Sequence, residues 1–218
     1  YKSLFKAYGL GWQLQDINGF LQVSHTGGLD GIVTQIIMIP EKKLGIIVLT
    51  NQQSGAAFTA ISNTIKDSYL GLKNPDHIEM LSSDRRQKED NADKITDEVW
   101  AAVAKKLTEK GDFHLEKFVG TYKDNWLGEA NIYQKKGKLL FASKRSPRLA
   151  GEIFPYNGLQ FVVKWNERSF GADAFLFFKI NEKGEIEGFK MKAISPLTDF
   201  SYDFHDLAFW KVTPPPAN

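Results

Sequence analysis

The chain has 218 residues, of which 42% are hydrophobic and 25% are charged, and its formal net charge is +2. This composition is typical of a globular protein and excludes a disordered chain, and no apolar run approaches the roughly 20 residues of a membrane-spanning helix. Because the lysines are scattered among acidic residues, electrostatic binding of nucleic acid has little support. The lack of cysteine excludes disulfides and thiolate metal sites, and it is compatible with a periplasmic protein.

The first predicted element is a β-hairpin that leads into a His-Thr-Gly-Gly motif. Residues 9–15 alternate as a strand does, Asn18-Gly19 predicts a tight turn, and residues 20–24 form the returning strand. The motif at residues 25–28 follows directly. Taken without its flanks, this motif is also typical of a plain strand that ends in a glycine turn.

A second hairpin follows, formed by residues 34–39 and 44–50 around a turn at residues 40–43. Both of its strands contain continuous apolar runs. Such runs are typical of strands buried on both faces, so we expect these two strands to be central in their sheet.

The hairpins are followed by a predicted helix. Phe58, Ile61, Ile65 and Tyr69 recur at helical spacing, and Gly71 is well placed as the C-terminal cap. One helix covers only one face of such a sheet. The other face is therefore expected to need protein that the chain does not contain, or a partner molecule. Self-association through this face is one hypothesis.

Residues 72–112 are highly charged and predict a helical linker. Thr96 is expected to cap the start of its main helix. The apolar stripe of that helix consists of Ile95, Val99, Val103 and Leu107.

Residues 113–218 change character to short alternating strands separated by turn residues, which predicts a small antiparallel barrel or sandwich. The predicted strands are residues 118–123, 129–134, 138–143, 151–155, 159–165, 174–180, 186–193 and 207–212. The predicted fold class is thus α+β: a partial antiparallel sheet with its helix over residues 1–71, the linker over 72–112, and an eight-stranded barrel over 113–218.

Four features of the first segment occur together and in order: Tyr-Gly-Leu-Gly-Trp at residues 8–12, His-Thr-Gly-Gly at 25–28, the Pro40 turn, and Val-Leu-Thr-Asn at 48–51. Together they resemble the C-terminal part of serine β-lactamase-like and penicillin-binding proteins, nearest to the class C and esterase branches. The Phe-Val-Gly-Thr-Tyr sequence at residues 118–122 resembles the start of the lipocalin-like domain that often follows such hydrolases.

The resemblance implies a role for each residue of the motif. His25 would face the cleft as a hydrogen-bond donor or proton relay, and the N–H of Gly28 would be one of two oxyanion donors. Thr26 would bind a polar group of the substrate, and Gly27 would let the substrate approach the strand. A histidine stands where the family often has lysine, which favours esterase or peptidase chemistry over β-lactam turnover. No cofactor and no metal are implied.

The catalytic serine of this family is expected to lie outside the chain. The resemblance implies that acyl transfer uses a Ser-x-x-Lys pair on a helix and a Tyr-x-Asn or equivalent motif. Ser3 and Lys6 have the first spacing, but only a hairpin separates them from the motif at residues 25–28, so we interpret the match as coincidence. We therefore expect a piece of a longer, periplasmic or secreted bacterial hydrolase that acts on a small molecule or peptide and is inactive in this form.

Two further patterns leave alternatives open. The last segment is rich in aromatic residues, which either fill the barrel interior or line a pocket at its mouth; in the second case the barrel is a ligand-binding or partner-binding module. The remaining histidines, His77, His114 and His205, show no metal-ligand spacing, and surface or capping roles are expected for them.

Overall fold

The computed structural model describes residues 1–29, 31–73, 76–109 and 114–212. Within these residues the chain has the predicted α+β composition and divides into two compact units, Tyr1–Lys88 and Glu89–Asn218. The predicted domain limits at 71/72 and 112/113 stay a prediction, and residues 112 and 113 lie outside the described ranges. None of the described helices has the length and hydropathy that crossing a membrane requires.

A five-stranded antiparallel sheet forms most of the first unit, with its strands in chain order. These strands are β1 (Lys6–Gly9), β2 (Trp12–Ile17), β3 (Phe20–Leu29), β4 (Ile32–Ile39) and β5 (Leu44–Leu49). The turn between β2 and β3 has a positive φ at both Asn18 and Gly19, the type I′ geometry that matches strand twist. The motif at residues 25–28 therefore lies inside a strand.

Helix α1 (Gly55–Leu70) packs on one face of this sheet, against β4 and β5. It ends at Gly71, whose left-handed φ of 65° confirms the predicted C-cap. The core on this face consists of five buried aliphatic side chains: Ile17, Ile37, Ile39, Ile46 and Val48.

The expectation that both strands of the second hairpin are buried on two faces is wrong for β5. This strand lies at the edge of the sheet, and its side chains alternate between environments. Ile46 and Val48 are buried, whereas Ile47 is 67% and Leu49 is 74% exposed. The apolar run thus supplies one side of the helix-covered core and an exposed apolar patch on the opposite face.

Helix α2 (His77–Thr108) begins much earlier than predicted, and the expectation that Thr96 caps it is wrong. Thr96 lies in mid-helix, where its hydroxyl donates to the carbonyl of Ala92 at 2.9 Å. The residues before it contain neither glycine nor proline, so nothing in the sequence interrupts the helix. Val99 and Val103 of the predicted stripe are buried.

The second unit contains a closed barrel of eight antiparallel strands, as predicted. The strands are β6 (Gly120–Asp124), β7 (Gly128–Lys135), β8 (Lys138–Ser143), β9 (Ala150–Asn157), β10 (Gln160–Trp165), β11 (Ala174–Ile180), β12 (Ile186–Ala193) and β13 (Ala208–Lys211). Each strand pairs with its neighbours in sequence, and pairing between β13 and β6 closes the barrel.

Aromatic rings fill the interior of the barrel. The fully or almost fully buried rings are those of Phe118, Tyr122, Phe141, Phe161, Trp165, Phe178, Phe189, Phe204 and Phe209. The polar tips of two of them are satisfied inside the core: the Tyr122 hydroxyl donates to the carbonyl of Phe118 at 2.7 Å, and the Trp165 indole to that of Ala172 at 2.6 Å. Buried side chains thus form the core of the barrel.

Other rings lie on the outside of the barrel, where they pack against the second half of α2. Trp100 of α2 meets Phe154 edge to face at 5.7 Å between ring centroids. Tyr156 and Phe175 join the same cluster around the buried side chain of Val162. The many aromatic residues of this segment thus pack in two places, inside the barrel and between the barrel and the second half of α2.

Candidate functional site

The motif at residues 25–28 lies where β3 runs past the end of β2. The ladder between β2 and β3 ends at Ser24, whereas the ladder between β3 and β4 continues to Leu29. Among the described residues, no strand pairs with the β2 side of residues 25–29. This part of β3 therefore has one paired edge and one free edge.

The hydrogen bonds of the neighbouring strands decide which backbone groups of β3 point to the free edge. Residues that flank a two-residue turn exchange backbone hydrogen bonds, and in an antiparallel strand the direction of these groups alternates from residue to residue. Phe20 flanks the turn between β2 and β3 and points to β2. The carbonyl of Val33 accepts from Thr50 on the β5 side, so Thr34 points to β3 and pairs with Gly27. Both give the same phase, in which Thr26 and Gly28 direct their N–H groups to the free edge.

The side chains of the motif alternate between the two faces of the sheet. Thr26 lies opposite Gln35, whose side chain accepts a hydrogen bond from Ser62 of α1, so Thr26 is on the helix-covered face. His25 lies opposite Ile36 on the other face. A substrate would therefore contact both His25 and Thr26 only across the free edge between them.

The two glycines have different surroundings. A Cβ atom on Gly27 would lie 2.7 Å from the Thr34 hydroxyl oxygen, so this hydroxyl occupies the space that a side chain would need. A Cβ atom on Gly28 would have only the Val33 side chain nearby, at 4.0 Å. The space that a side chain would take is thus open at Gly28 and closed at Gly27, and these two spaces lie on opposite faces of the sheet.

His25 has two aromatic neighbours that sequence reasoning did not connect with it. Its Nε2 lies 3.2 Å from the Tyr8 hydroxyl, a hydrogen bond whose direction depends on the imidazole tautomer. Its ring also lies 6.2 Å from the Tyr8 ring and 6.5 Å from the Trp12 ring. Tyr8 and Trp12 belong to the Tyr-Gly-Leu-Gly-Trp sequence. This sequence was the signal from which their contact with His25 could have been predicted.

Ser3 and Lys6 do not form a catalytic pair in the structure. Ser3 precedes β1 outside any helix, and its hydroxyl donates to the carbonyl of Phe5 at 3.0 Å. Lys6 is the first residue of β1. The helical turn that would bring the lysine to the serine is missing at this point, which supports the interpretation of the match as coincidence.

A second group of ionisable side chains lies on the helix-covered face. Lys66 is only 5% exposed, and its ammonium donates to the Gln22 side chain at 3.0 Å. Burial lowers the pKa of Lys66 to about 8, and the neighbouring Asp67 carboxylate partly opposes this shift. Asp67 accepts a hydrogen bond from the Tyr1 hydroxyl at 2.7 Å, and burial and this contact raise the pKa of Tyr1.

The expected surface or capping role is wrong for His77. This residue begins α2 and is buried, and its Nε2 lies 2.6 Å from Asp67 Oδ2. The contact fastens the start of α2 to α1 within the first unit. Sequence patterns did not indicate it, because the two residues belong to different helices and form no spacing motif.

His205 is exposed as expected, and it lies in a short 3-10 helix, Phe204–Asp206. With Asp203 and Asp206 it brings three potential metal-ligand atoms within 4.8 Å of one another. Because exposed acidic groups commonly cluster without an ion, this arrangement by itself defines no metal centre.

The structure is that of an α+β protein in which a sheet segment with the His-Thr-Gly-Gly motif is followed by a closed barrel. Residues 2–69 match the family described as Beta-lactamase, and residues 104–211 match one described as Domain of unknown function (DUF3471). The first part of the chain is thus similar to a segment of the β-lactamase-like hydrolases, and a C-terminal barrel domain follows it.

One curated relative is the unguisins hydrolase ungD of Aspergillus violaceofuscus, which is 32% identical over 75 residues. That alignment covers 34% of this chain and 13% of the relative, so the chain spans only a small part of that protein.

Two solved structures resemble the chain at low scores. SurE has a TM-score of 0.36 at 14% identity, and an octameric penicillin-binding protein homologue from Pyrococcus abyssi has a TM-score of 0.31 at 15% identity. Each alignment covers 94% of this chain and 37% of the other.

Proposed function

We propose that residues 1–71 form one wall of the acyl-transfer site of a serine hydrolase that cleaves an amide or ester bond. The free edge of β3 is the observation that carries this proposal. An oxyanion donor has to be an N–H group that no other part of the protein uses, and no strand of the described residues pairs with the N–H of Gly28. The open space beside Gly28 leaves room for the reacting carbonyl.

In this proposal His25 and Tyr8 form a proton relay beside the edge. An imidazole exchanges protons near neutral pH, and the Tyr8 hydroxyl lies at hydrogen-bond distance from its Nε2. Thr26 binds a polar group of the substrate from the opposite face, and Gly27 permits close approach to the strand. The substrate is a small molecule or a peptide.

The nucleophile of this reaction is proposed to lie in a longer protein of which the chain is a part. Ser3 and Lys6 are not joined by a helical turn, and the 218 residues contain no Tyr-x-Asn motif. We therefore propose that the chain does not acylate itself. A periplasmic or secreted location in a bacterium belongs to the same proposal.

A fluorophosphonate probe tests the assignment. We expect it to label the longer protein covalently and to leave the 218-residue chain unmodified, as read by intact mass. Labelling of Ser3 in the short chain would overturn the proposal.

The role of the Gly28 N–H is tested in the longer protein by two variants at one position. Gly28→Pro removes the N–H, whereas Gly28→Ala keeps it and adds a side chain in open space. Loss of one oxyanion donor typically lowers kcat by about 100-fold to 1,000-fold, so we expect this loss for proline and a much smaller one for alanine. Equal effects of the two variants on kcat would show that the Gly28 N–H is not an oxyanion donor.

A second candidate function is that the barrel is a binding module. Its interior is filled, but one of its mouths contains a cavity that combines rings with cationic side chains. This observation favours binding at the mouth over binding inside the barrel.

A further inference from the structure

One mouth of the barrel is built by four loops. Since β6 to β13 run up and down in sequence, the loops after β6, β8, β10 and β12 emerge at the same end. A cavity of about 400 Å³ opens among these loops and is lined by residues from all four. Its size lies within the range of small-molecule sites.

The floor and walls of this cavity are apolar. Leu149, Phe204 and Leu207 are buried beneath it. Phe170 and Tyr202 stand beside each other with ring centroids 5.7 Å apart, and Trp126, which is 55% exposed, lies at the rim. Such surroundings favour a flat, apolar ligand body that contacts ring faces.

The charged side chains that line the cavity are all cationic. Its lining includes two arginines and no carboxylate. Arg148 is neutralised by Glu167 at 2.9 Å and lies over the Phe170 ring. Arg145 donates to the backbone carbonyl of Trp126 at 2.6 Å, and it forms no ion pair with any carboxylate of the described residues. The carbonyl thus holds a guanidinium at the rim without neutralising it.

We propose that this mouth binds a carboxylate with a planar apolar body. The Arg145 guanidinium pairs with the carboxylate, for which its planar set of donors is suited, and the rings of Trp126, Phe170 and Tyr202 enclose the body. This inference rests on the binding-module candidate. It does not depend on the acyl-transfer proposal, because all of its residues belong to the second unit.

The test uses two probes with the same naphthalene body, the anionic naphthalene-2-carboxylate and the neutral naphthalene-2-methanol. Each is titrated into the 218-residue chain, and the indole NMR signal of Trp126 is followed after its assignment with Trp126→Phe. We expect saturable binding of the carboxylate and binding of the alcohol that is at least about tenfold weaker, as loss of a charge-assisted hydrogen bond implies.

Variants then separate the contribution of the Arg145 charge to binding from the contribution of the aromatic rings. Arg145→Gln is expected to weaken carboxylate binding by about tenfold or more and to leave alcohol binding unchanged, whereas Arg145→Lys restores part of the loss. Arg86→Gln, which removes an exposed arginine of the first unit, is the matched control and should change neither. Phe170→Leu should weaken both probes.

The outcomes discriminate between the class of ligand and the existence of the site. Equal affinities for acid and alcohol, or an Arg145→Gln variant that binds the acid normally, would overturn the carboxylate assignment and leave the binding module in place. If neither probe saturates the Trp126 signal, the site itself is refuted. An Arg145→Gln chain with an altered NMR spectrum is replaced by Arg145→Lys, whose retained charge must then retain measurable acid binding.

Discussion

The sheet and the barrel are both antiparallel meanders, but only the barrel closes on itself. Its last strand pairs with its first, so every strand has two neighbours, and buried side chains form its core. The sheet has a covered face with buried ionisable groups, an exposed apolar face, and a free backbone edge at residues 25–29. Closure pairs the backbone edges of the barrel strands, whereas β3 keeps a free backbone edge, so the proposed acyl-transfer chemistry lies in the sheet.

The largest expected effect is in the closed barrel. Phe189 is 2% exposed and stacks on Phe209 at 4.6 Å, so Phe189→Ala leaves a cavity in a tightly packed interior. We expect a loss of about 4 kcal/mol in the free energy of unfolding, measured by urea denaturation. Phe200→Ala, at an 85% exposed ring, should change it little. Similar losses at both positions would contradict a uniquely packed barrel.

The next largest effect on stability is expected from proline substitutions that test the two edges of β3. Gly27 directs its N–H to β4, whereas Gly28 directs its own to the free edge. Gly27→Pro should therefore cost about 3 kcal/mol through a lost ladder bond and contact with Thr34, and Gly28→Pro should cost less than about 1 kcal/mol. Thermal unfolding of the two variants checks the order, and the reverse order would refute the assigned strand phase.

A pH effect is expected from the covered face of the sheet. Because the pKa of Lys66 is about 8 in the folded chain, the folded state loses this proton at lower pH than the unfolded state. Stability of the first unit should thus rise by about 2 kcal/mol between pH 8 and 10. Above pH 10 the raised pKa of Tyr1 acts in the opposite direction in this unit.

The measurement is the urea midpoint as a function of pH. Lys66→Met should abolish the rise, while Lys6→Met, at an exposed lysine of β1, should preserve it. If the urea midpoint still rises with pH in the Lys66→Met variant, another titrating group causes the rise.

The smallest effect on stability is expected on the exposed face of β5, although association should change. Exposed apolar side chains at Ile47 and Leu49 favour self-association of the chain. Replacing both with threonine should change the unfolding free energy by about 0.5 kcal/mol or less but lower the apparent mass in light scattering. The same replacements at Ile180 and Leu197 of the second unit are the control. A wild-type chain that is strictly monomeric would contradict the expectation.

Much of the fold follows from local sequence patterns. Three barrel strands, Lys138–Ser143, Ala174–Ile180 and Ile186–Ala193, have the predicted limits, because alternation and glycine turns act over a few residues. The α1 helix and its Gly71 cap are also local. Local signals failed at Thr96, where a cap residue lies inside a longer helix, and at β5, where an apolar run lies at an edge.

The sequence by itself determined the order of elements, the eight strands and the position of the motif at residues 25–28. Tertiary structure decided which edge of β3 is free, that Tyr8 meets His25, that Asp67 meets His77, and that four loops bring Arg145 to a ring-lined mouth. The reason is physical: periodicity and turn preferences act between neighbours in the chain. Strand register, ring packing and ion pairing join residues from different elements, and no local pattern encodes their distance.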